Sequence, residues 1–289
     1  MTADPFTAHR GLLFTVAYEM LGSAADADDA VQETWLRWAD VDRASVRDPR
    51  AYLVRMVTRQ ALNRLRTVSR RREDYVGEWL PEPLLTSPDV ADDVELAESV
   101  SIAMLTVLET LGPTERAVLV LHEVFDVPYD EIAAAVGKSG PAVRQIAHRA
   151  REHVAARRPR TSVSRAEQQR VVDRFLAALT AGDLQGLLDV LAPDVVVVAD
   201  GGGLAPAALR PFGGRARVAN ALSRFAVLVP EVPMTTPLIN GAVAARLDPG
   251  GEFDTAITFV VDDGRIARMY AMRNPEKLGR LDTVADLRR

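Results

Sequence analysis

The sequence has no cysteine, only four histidines, few aromatics, and no apolar run long enough to cross a membrane. Without cysteine, disulfides and cysteine-ligated zinc are excluded, which fits a reducing compartment. His9, His122, His148 and His153 all precede residue 154, so histidine chemistry is excluded from the second half. The first residues, Met1-Thr2-Ala3-Asp4-Pro5, contain no basic segment followed by a hydrophobic one. These absences lead us to expect a soluble, cytoplasmic chain with no membrane contact, no metal and no cofactor. A basic excess is missing too. The net charge is −5 and the pI about 5.5, so bulk electrostatics cannot hold a polyanion. Any basic surface must be local, and tight nucleic-acid binding calls for a partner. The 289 residues suggest about two domains with material for more than one core.

What is present centres on residues 128–154, which read as a helix-turn-helix. Tyr129 to Val136 places Ile132 and Val136 on one side, and Gly137 follows where a left-handed stop suits glycine. Lys138 and Ser139 form the turn, with Ser139 as N-cap. In the second helix Val143, Ile146, Ala147, Ala150 and Val154 keep the rhythm of a buried face. Arg144, Gln145, His148, Arg151 and Glu152 lie opposite. Small residues inward with Arg and Gln outward suit entry into a major groove. An ordinary helical hairpin with a solvated face is the plainer alternative.

Upstream, residues 6–21 read as a helix with Leu12, Leu13, Val16, Ala17 and Met20 inward, ended by Gly22. In the next helix Asp29, Gln32, Glu33 and Leu36 share an acidic face, while Val31, Trp35 and Trp38 share the other and read as core. Arg47-Asp48-Pro49 opens a long helix through Arg66, with Tyr52, Met56, Arg59, Asn63 and Arg66 along one side and Arg70, Arg71 and Arg72 beyond. Aromatic and cationic groups together suit single-stranded or melting DNA.

Three stretches, D-A-D-D-A-V-Q-E-T-W-L-R-W at 26–38, R-D-P-R-A-Y-L at 47–53, and 111–151 from L-G-P-T-E-R through A-V-R-Q-I-A-H-R-A-R, resemble regions two and four of ECF-type sigma factors. The resemblance covers about the first 160 residues. It implies that Asp29, Gln32, Glu33, Trp35 and Leu36 dock on the clamp helices of the largest subunit of core RNA polymerase. It implies too that Tyr52, Arg55, Arg59, Asn63 and Arg66 read the minus-ten element of promoter DNA. Ser139, Arg144, Gln145, His148 and Arg149 would read the minus-thirty-five element. Arg59 and Asn63 stand where many relatives carry Asn and Asp, and Gly140-Pro141 is an uncommon helix start. These departures bear on which promoter sequence is read.

Residues 75–100 are acidic and carry Trp79-Leu80-Pro81-Glu82-Pro83-Leu84, which the prolines mark as non-helical. W-L-P-E-P-L is similar to a motif of the sigma subgroup with a fused SnoaL-like domain, so this stretch is expected to dock across domains. A short basic boundary at 157–161 precedes a helix starting at Ser164, with Val172, Phe175, Leu176 and Leu179 inward, and a second helix at 183–191. Val195 to Val198 reads as a buried strand. Residues 252–262 alternate, with Phe253, Thr255, Ile257, Phe259 and Val261 on one face, and Asp263-Gly264 turns the chain into residues 265–272. Helices followed by a curved antiparallel sheet make an α+β cone resembling the SnoaL-like, NTF2-like fold, with a mouth able to hold a small molecule. Asp200, Gly201, Gly202 and Gly203, and Asn274, Pro275, Lys277 and Leu278, are similar to the subgroup's D-G-G-G and N-P-x-K-L motifs. With Trp79, Leu80, Pro81, Glu82 and Pro83 they form the expected regulatory interface.

The expected fold is therefore multidomain: two all-α sigma domains, the second a helix-turn-helix, followed by an α+β NTF2-like cone. The expected boundaries are 1–75 for region two, 76–104 for the linker, 105–160 for region four and 161–289 for the cone. The expected function is promoter-specific initiation with the cone modulating it, and no catalytic residue is assigned. One competing reading makes the cone an enzyme using Asp200, Asp254 or Tyr270. Another makes the chain a ligand-responsive helix-turn-helix repressor, which leaves the acidic face and the Tyr52 helix unexplained.

Overall fold

The computed structural model describes residues 4–157, 163–228 and 232–289, without the side chains of residues 68–73 and 226–228. The side chains of Arg70, Arg71 and Arg72 thus lie outside the described residues, as does the basic boundary apart from Arg157.

Helix α1 (Pro5–Leu21) starts where Asp4 accepts the Phe6 amide at 2.9 Å, with Pro5 in the first turn, and stops at Gly22 with φ 65°. The expected inward residues are buried, but so are Phe14, Tyr18 and Glu19. The helix is enclosed on several sides by α2 (Ala24–Ala39), α3 (Pro49–Glu73) and, from further along the chain, α7 (Pro113–Glu123). Between them come α4 (Pro88–Asp92), α5 (Val94–Val100) and α6 (Ile102–Leu108); α8 (Tyr129–Val136) and α9 (Gly140–Ala155) complete the helical part. Residues 88–100 correct the non-helical expectation for the linker. Pro88 takes a first-turn position, where its missing N–H costs nothing, and Asp93 caps α5 by accepting the Leu96 amide at 3.1 Å.

The second part holds α10 (Arg165–Thr180), α11 (Leu184–Val190), β1 (Leu191–Asp200), β2 (Phe212–Gly213), α12 (Arg215–Leu228), β3 (Met234–Thr235), β4 (Leu238–Ile239), β5 (Ala242–Leu247), β6 (Thr255–Asp262), β7 (Arg265–Met272) and α13 (Pro275–Leu278). The strand order is β2-β1-β7-β6-β5-β3, with β4 also on β5. The sheet is mixed rather than antiparallel throughout, because β1 runs parallel to β7. Asp263 and Gly264, with φ 47° and 65°, form the expected hairpin turn between β6 and β7. Phe253 lies ahead of β6, not in it.

Both faces of this sheet are covered, so β6 is buried almost continuously. Ile257, Phe259 and Val261 pack with Val172, Phe175 and Leu179 of α10. On the other face Ala256, Tyr270 and Met272 join Leu80 and Ile102 from the sigma part and Leu278 and Leu281. The tail then crosses to the front of the molecule. Ala285 bridges to Thr86, Leu287 enters the first core, and the Arg288 amide donates to Thr15 Oγ1 at 2.9 Å.

One buried charge site sits where α1 meets α5. Glu19 is 1% exposed; its Oε1 accepts from Ser99 Oγ at 2.8 Å, and Oε2 has no hydrogen-bond partner. Burial pushes its pKa up to about 8, against the opposing pull of the Ser99 hydroxyl. The folded state therefore holds a proton that the unfolded state releases. Stability from this site is fully present below about 4.5 and is lost as pH rises through about 8. Urea unfolding across this window should show the wild type losing stability relative to Glu19→Gln, by at most about 1.4 kcal/mol per pH unit. Parallel curves for the two proteins would remove this account of Glu19.

Candidate promoter-facing surface and interdomain joint

The acidic face of α2 is solvent-facing. Asp29, Gln32, Glu33 and Leu36 are exposed, and among the described residues one cation pairs with this face: Arg64 of α3 meets Asp26 at 2.9 Å, Glu33 at 3.1 Å and Asp29. Three carboxylates to one guanidinium leave the face acidic. Trp35 corrects the core expectation. It is 39% exposed, with its ring 5.0 Å from Phe6, whereas Val31 and Trp38 are buried. Helical spacing could not separate them, because Trp35 lies at the edge of the buried arc.

On α3, Tyr52 is half-buried against Trp38, ring centroids 5.8 Å apart, with the Arg55 guanidinium 5.1 Å from its centroid. Asn63 and Arg66 are exposed, and Arg66 donates to Asn63 Oδ1 at 3.4 Å. Arg59 donates to the carbonyl of Ala134 on α8 at 2.8 Å. The same helix that presents Asn63 and Arg66 is therefore bound to the helix-turn-helix. On α9, Ser139 accepts the Ala142 amide at 3.4 Å and caps the Gly140-Pro141 start. Arg144, Gln145, His148 and Arg149 all face solvent, and Val143, Ala147, Ala150 and Val154 are buried beneath them. Ile146 is half-buried.

The three sequence motifs distant from one another converge on Asp200. This carboxylate is fully buried at the end of β1. It accepts from Tyr75 Oη at 2.6 Å, from the Leu80 amide at 2.9 Å and from Lys277 Nζ at 2.7 Å. Lys277 also donates to the Leu80 carbonyl at 2.6 Å and sits 4.2 Å from the Trp79 ring centroid and 4.9 Å from that of Tyr75. Asn274 caps α13 and donates to Tyr75 Oη at 2.8 Å, while Pro275 takes the first turn and stays exposed. Gly202 needs its glycine: at φ 60° a Cβ would lie 2.3 Å from Asn274 Nδ2. Gly201 is buried against Ala205, and Gly203 faces Val76. Burial and the Asp200 hydrogen bond raise the Tyr75 pKa.

Pro81 and Pro83 are buried, and Leu80 and Leu278 share one apolar cluster. Glu82 turns the other way and accepts the Ala24 amide at 2.7 Å, capping α2, with Arg280 at 3.4 Å. Burial raises the Glu82 pKa against those two opposing influences.

Sequence reasoning missed Tyr75, Tyr18 and Asn240. Asn240, at φ 52°, donates to Tyr18 Oη and to the Val100 carbonyl, both at 2.7 Å, and accepts the Leu84 amide at 2.8 Å. It ties α1, the linker and α5 to the sheet. The Asn240-Gly241 pair was the available signal, since such pairs favour left-handed turns.

The residues of the enzyme reading are engaged elsewhere. Asp200 is sealed by the linker, and Asp254 forms a two-point pair with Arg246 at 3.2 and 3.0 Å. Tyr270 is buried in the apolar cluster, with Arg268 at 3.5 Å. A cavity of about 460 Å³ opens at the seam of α4–α6 with α10 and β5–β6, lined by Asp92, Glu98, Ser101, Arg165 and Gln168 among others, and by none of these three. On the helix-facing side of the sheet Phe175 and Phe259 meet edge to face, ring centroids 5.3 Å apart.

Removing one partner of a buried ion pair strands the other. Asp200→Ala should cost about 3–5 kcal/mol in urea unfolding. Combining it with Lys277→Met should cost less than the sum of the single changes, by roughly 0.5–3 kcal/mol. Strict additivity would mean the pair is not coupled.

Comparison with known proteins gives this geometry its context. The family model of Sigma-70 region 2 matches residues 6–71, and that of Sigma-70, region 4, matches residues 101–154. The ECF RNA polymerase sigma factor SigJ of Mycobacterium tuberculosis is 38% identical, covering 96% of this chain and 93% of its own. The probable ECF RNA polymerase sigma factor SigI of the same species is 32% identical, covering 94% and 92%. The crystal structure of the Mycobacterium tuberculosis extracytoplasmic function sigma factor SigJ superposes with a TM-score of 0.77 at 36% identity, over 94% of this chain and 96% of that one. Helix-turn-helix, acid-faced α2 and long α3 occur here in one chain that aligns nearly end to end with such proteins, and the chain belongs to the ECF RNA polymerase sigma factors.

Proposed function

We propose that this sigma factor carries its own restraint. As a family member it binds core RNA polymerase and directs promoter-specific initiation. In our reading the clamp helices of the largest subunit take the exposed face of α2 through Asp29, Gln32, Glu33, Trp35 and Leu36. Helix α3 reads and opens the minus-ten element, and α9 reads the minus-thirty-five element. The division at 1–75, 76–104, 105–160 and 161–289 follows these roles.

The observation that carries the restraint is the Arg59 contact with Ala134 O. A guanidinium assigned to the minus-ten element is spent on α8, so α3 engages DNA fully only after α8 moves away. The α9 face stays open to solvent throughout. The closed arrangement thus leaves one promoter-reading surface available and occupies part of the other. The sheet domain favours this state through Asp200, Lys277 and Asn274, which grip the linker between the two DNA-facing parts. A linker held at both Tyr75 and Leu80 has little freedom to let region four swing out.

The test is promoter-dependent transcription by core polymerase with Tyr75→Phe, which deletes one hydroxyl from the joint. The hydroxyl bonds both Asp200 and Asn274, and each lost hydrogen bond shifts the closed–open balance by roughly 2- to 10-fold, so transcript should rise by at least about 2-fold at limiting sigma factor. Output equal to or below wild type, from a protein with an unchanged thermal midpoint, would count against restraint.

A further inference from the structure

Between Gly201 and Pro230 the chain has four arginines, Arg210, Arg215, Arg217 and Arg224, and no aspartate or glutamate. In a chain of net charge −5 this is a concentrated positive window. Arg215 is half-buried and donates to the Leu188 carbonyl at 3.5 Å. Arg210, Arg217 and Arg224 are exposed, and among the described residues no carboxylate pairs with them. The Arg217 guanidinium lies over Phe212, 5.4 Å from the ring centroid, and with Asn220, Ala221 and Arg224 it lines a shallow depression on α12.

The position of this window matters as much as its charge. Gly203 lies against Val76, and Leu209 lies against Gly77. Residues 75–77 are where the chain leaves α3, so the arginine window begins beside the end of that helix. Arg210 directly follows Leu209, the residue against Gly77, and Arg217 and Arg224 share one depression on α12. Arg217 and Arg224 are two helical turns apart, roughly 10 Å along the axis, a reach of about three phosphates on one DNA strand. On α12 the exposed residues between them are Asn220 and Ala221, while the exposed Leu204 and Leu209 lie ahead of Arg210, off this helix. A protein-docking face would carry an apolar centre; a phosphate-tracking face needs only charge and close approach.

We propose that Arg210, Arg217 and Arg224 form a sequence-independent contact to the DNA backbone, which extends the promoter-facing track from α3 onto the C-terminal domain. This rests on α3 facing promoter DNA, and the experiment separates the two. The full chain is titrated against a fluorescent duplex of arbitrary sequence over a range of salt concentrations. Each phosphate contact contributes about −0.9 to the slope of log K against log salt. The variant R210Q/R217Q/R224Q should therefore show a slope shallower by about 2 to 3, with an unchanged circular-dichroism melt. Arg66→Gln, measured in parallel, should flatten the slope by about 1 if α3 faces DNA. A flatter slope for the triple variant alone keeps the arginine contact and removes the α3 reading. An unchanged slope for the triple variant, or no salt-dependent duplex binding by the wild type, overturns the contact whatever Arg66→Gln does. Capture of polyglutamate in place of duplex, lost in the triple variant, also overturns it and assigns the arginines to an acidic protein partner.

Discussion

The buried carboxylate of Asp200 holds the chain's two halves in one arrangement. A carboxylate fully out of water is tolerable only when its lone pairs are filled. Here the fillers come from both halves: Tyr75 and the Leu80 amide from the linker, Lys277 from the far end of the sheet domain. Separation would return Asp200 and Lys277 to water, which recovers their hydration and offsets the lost attraction. The charge pair therefore fixes the register of the joint more than it tightens it. Affinity comes from the apolar side chains packed around it. Leu80, Ile102, Met272 and Leu278 are each buried, and each contributes roughly 1.5–3 kcal/mol relative to exposure. A joint balanced in this way can be specific and still open.

Charge is distributed with the same economy. Three carboxylates around Arg64 make α2 acidic on its outer side, while exposed cations are gathered on α9, on α3 and along α12. A net negative charge disfavours indiscriminate binding to DNA, and local cations of this kind act when DNA is already held close. Arg64 belongs to α3 but binds the carboxylates of α2. The surface proposed to meet polymerase and the helix proposed to meet the promoter thus share a side chain, so whatever competes for those carboxylates also acts on the helix that carries Arg64.

Much of the helical part was legible in the sequence, because its signals are local. Gly137 and Ser139 stop and start the helices of the helix-turn-helix, and the periodicity of 143–154 gives the buried set except Ile146, which is half-buried. The Trp79, Asp200 and Lys277 motifs were recognisable too, although their meeting was not, since Tyr75 and Asn274 are 199 residues apart. What escaped notice lacked contrast. Strand β5 is Ala242-Val243-Ala244-Ala245-Arg246-Leu247, covered on both faces, so no polar alternation marks it. Helices α4 and α5 were hidden by a proline count that took no account of position; Pro88 opens a helix rather than breaking one. The tail's return to α1 is a long-range contact with no local pattern to announce it.

The sheet's second face explains why the chemistry-bearing side chains of this domain serve structure. Tyr270 and Asp200 both point to the side where the linker lies. With that side uncovered, a buried tyrosine and a carboxylate near a lysine would border open space. Here Leu80 and Ile102 fill the space, and the Leu80 amide, the Tyr75 hydroxyl and Lys277 saturate the carboxylate. Tyr270 is held neutral by its own burial, which raises its pKa. Of the three candidate proton-moving groups, Asp200 binds the linker directly, Tyr270 packs with Leu80, and Asp254 is paired with Arg246. A polypeptide that occupies such a face must be displaced before anything else can use it, and displacing it also frees the segment that joins the two DNA-facing parts.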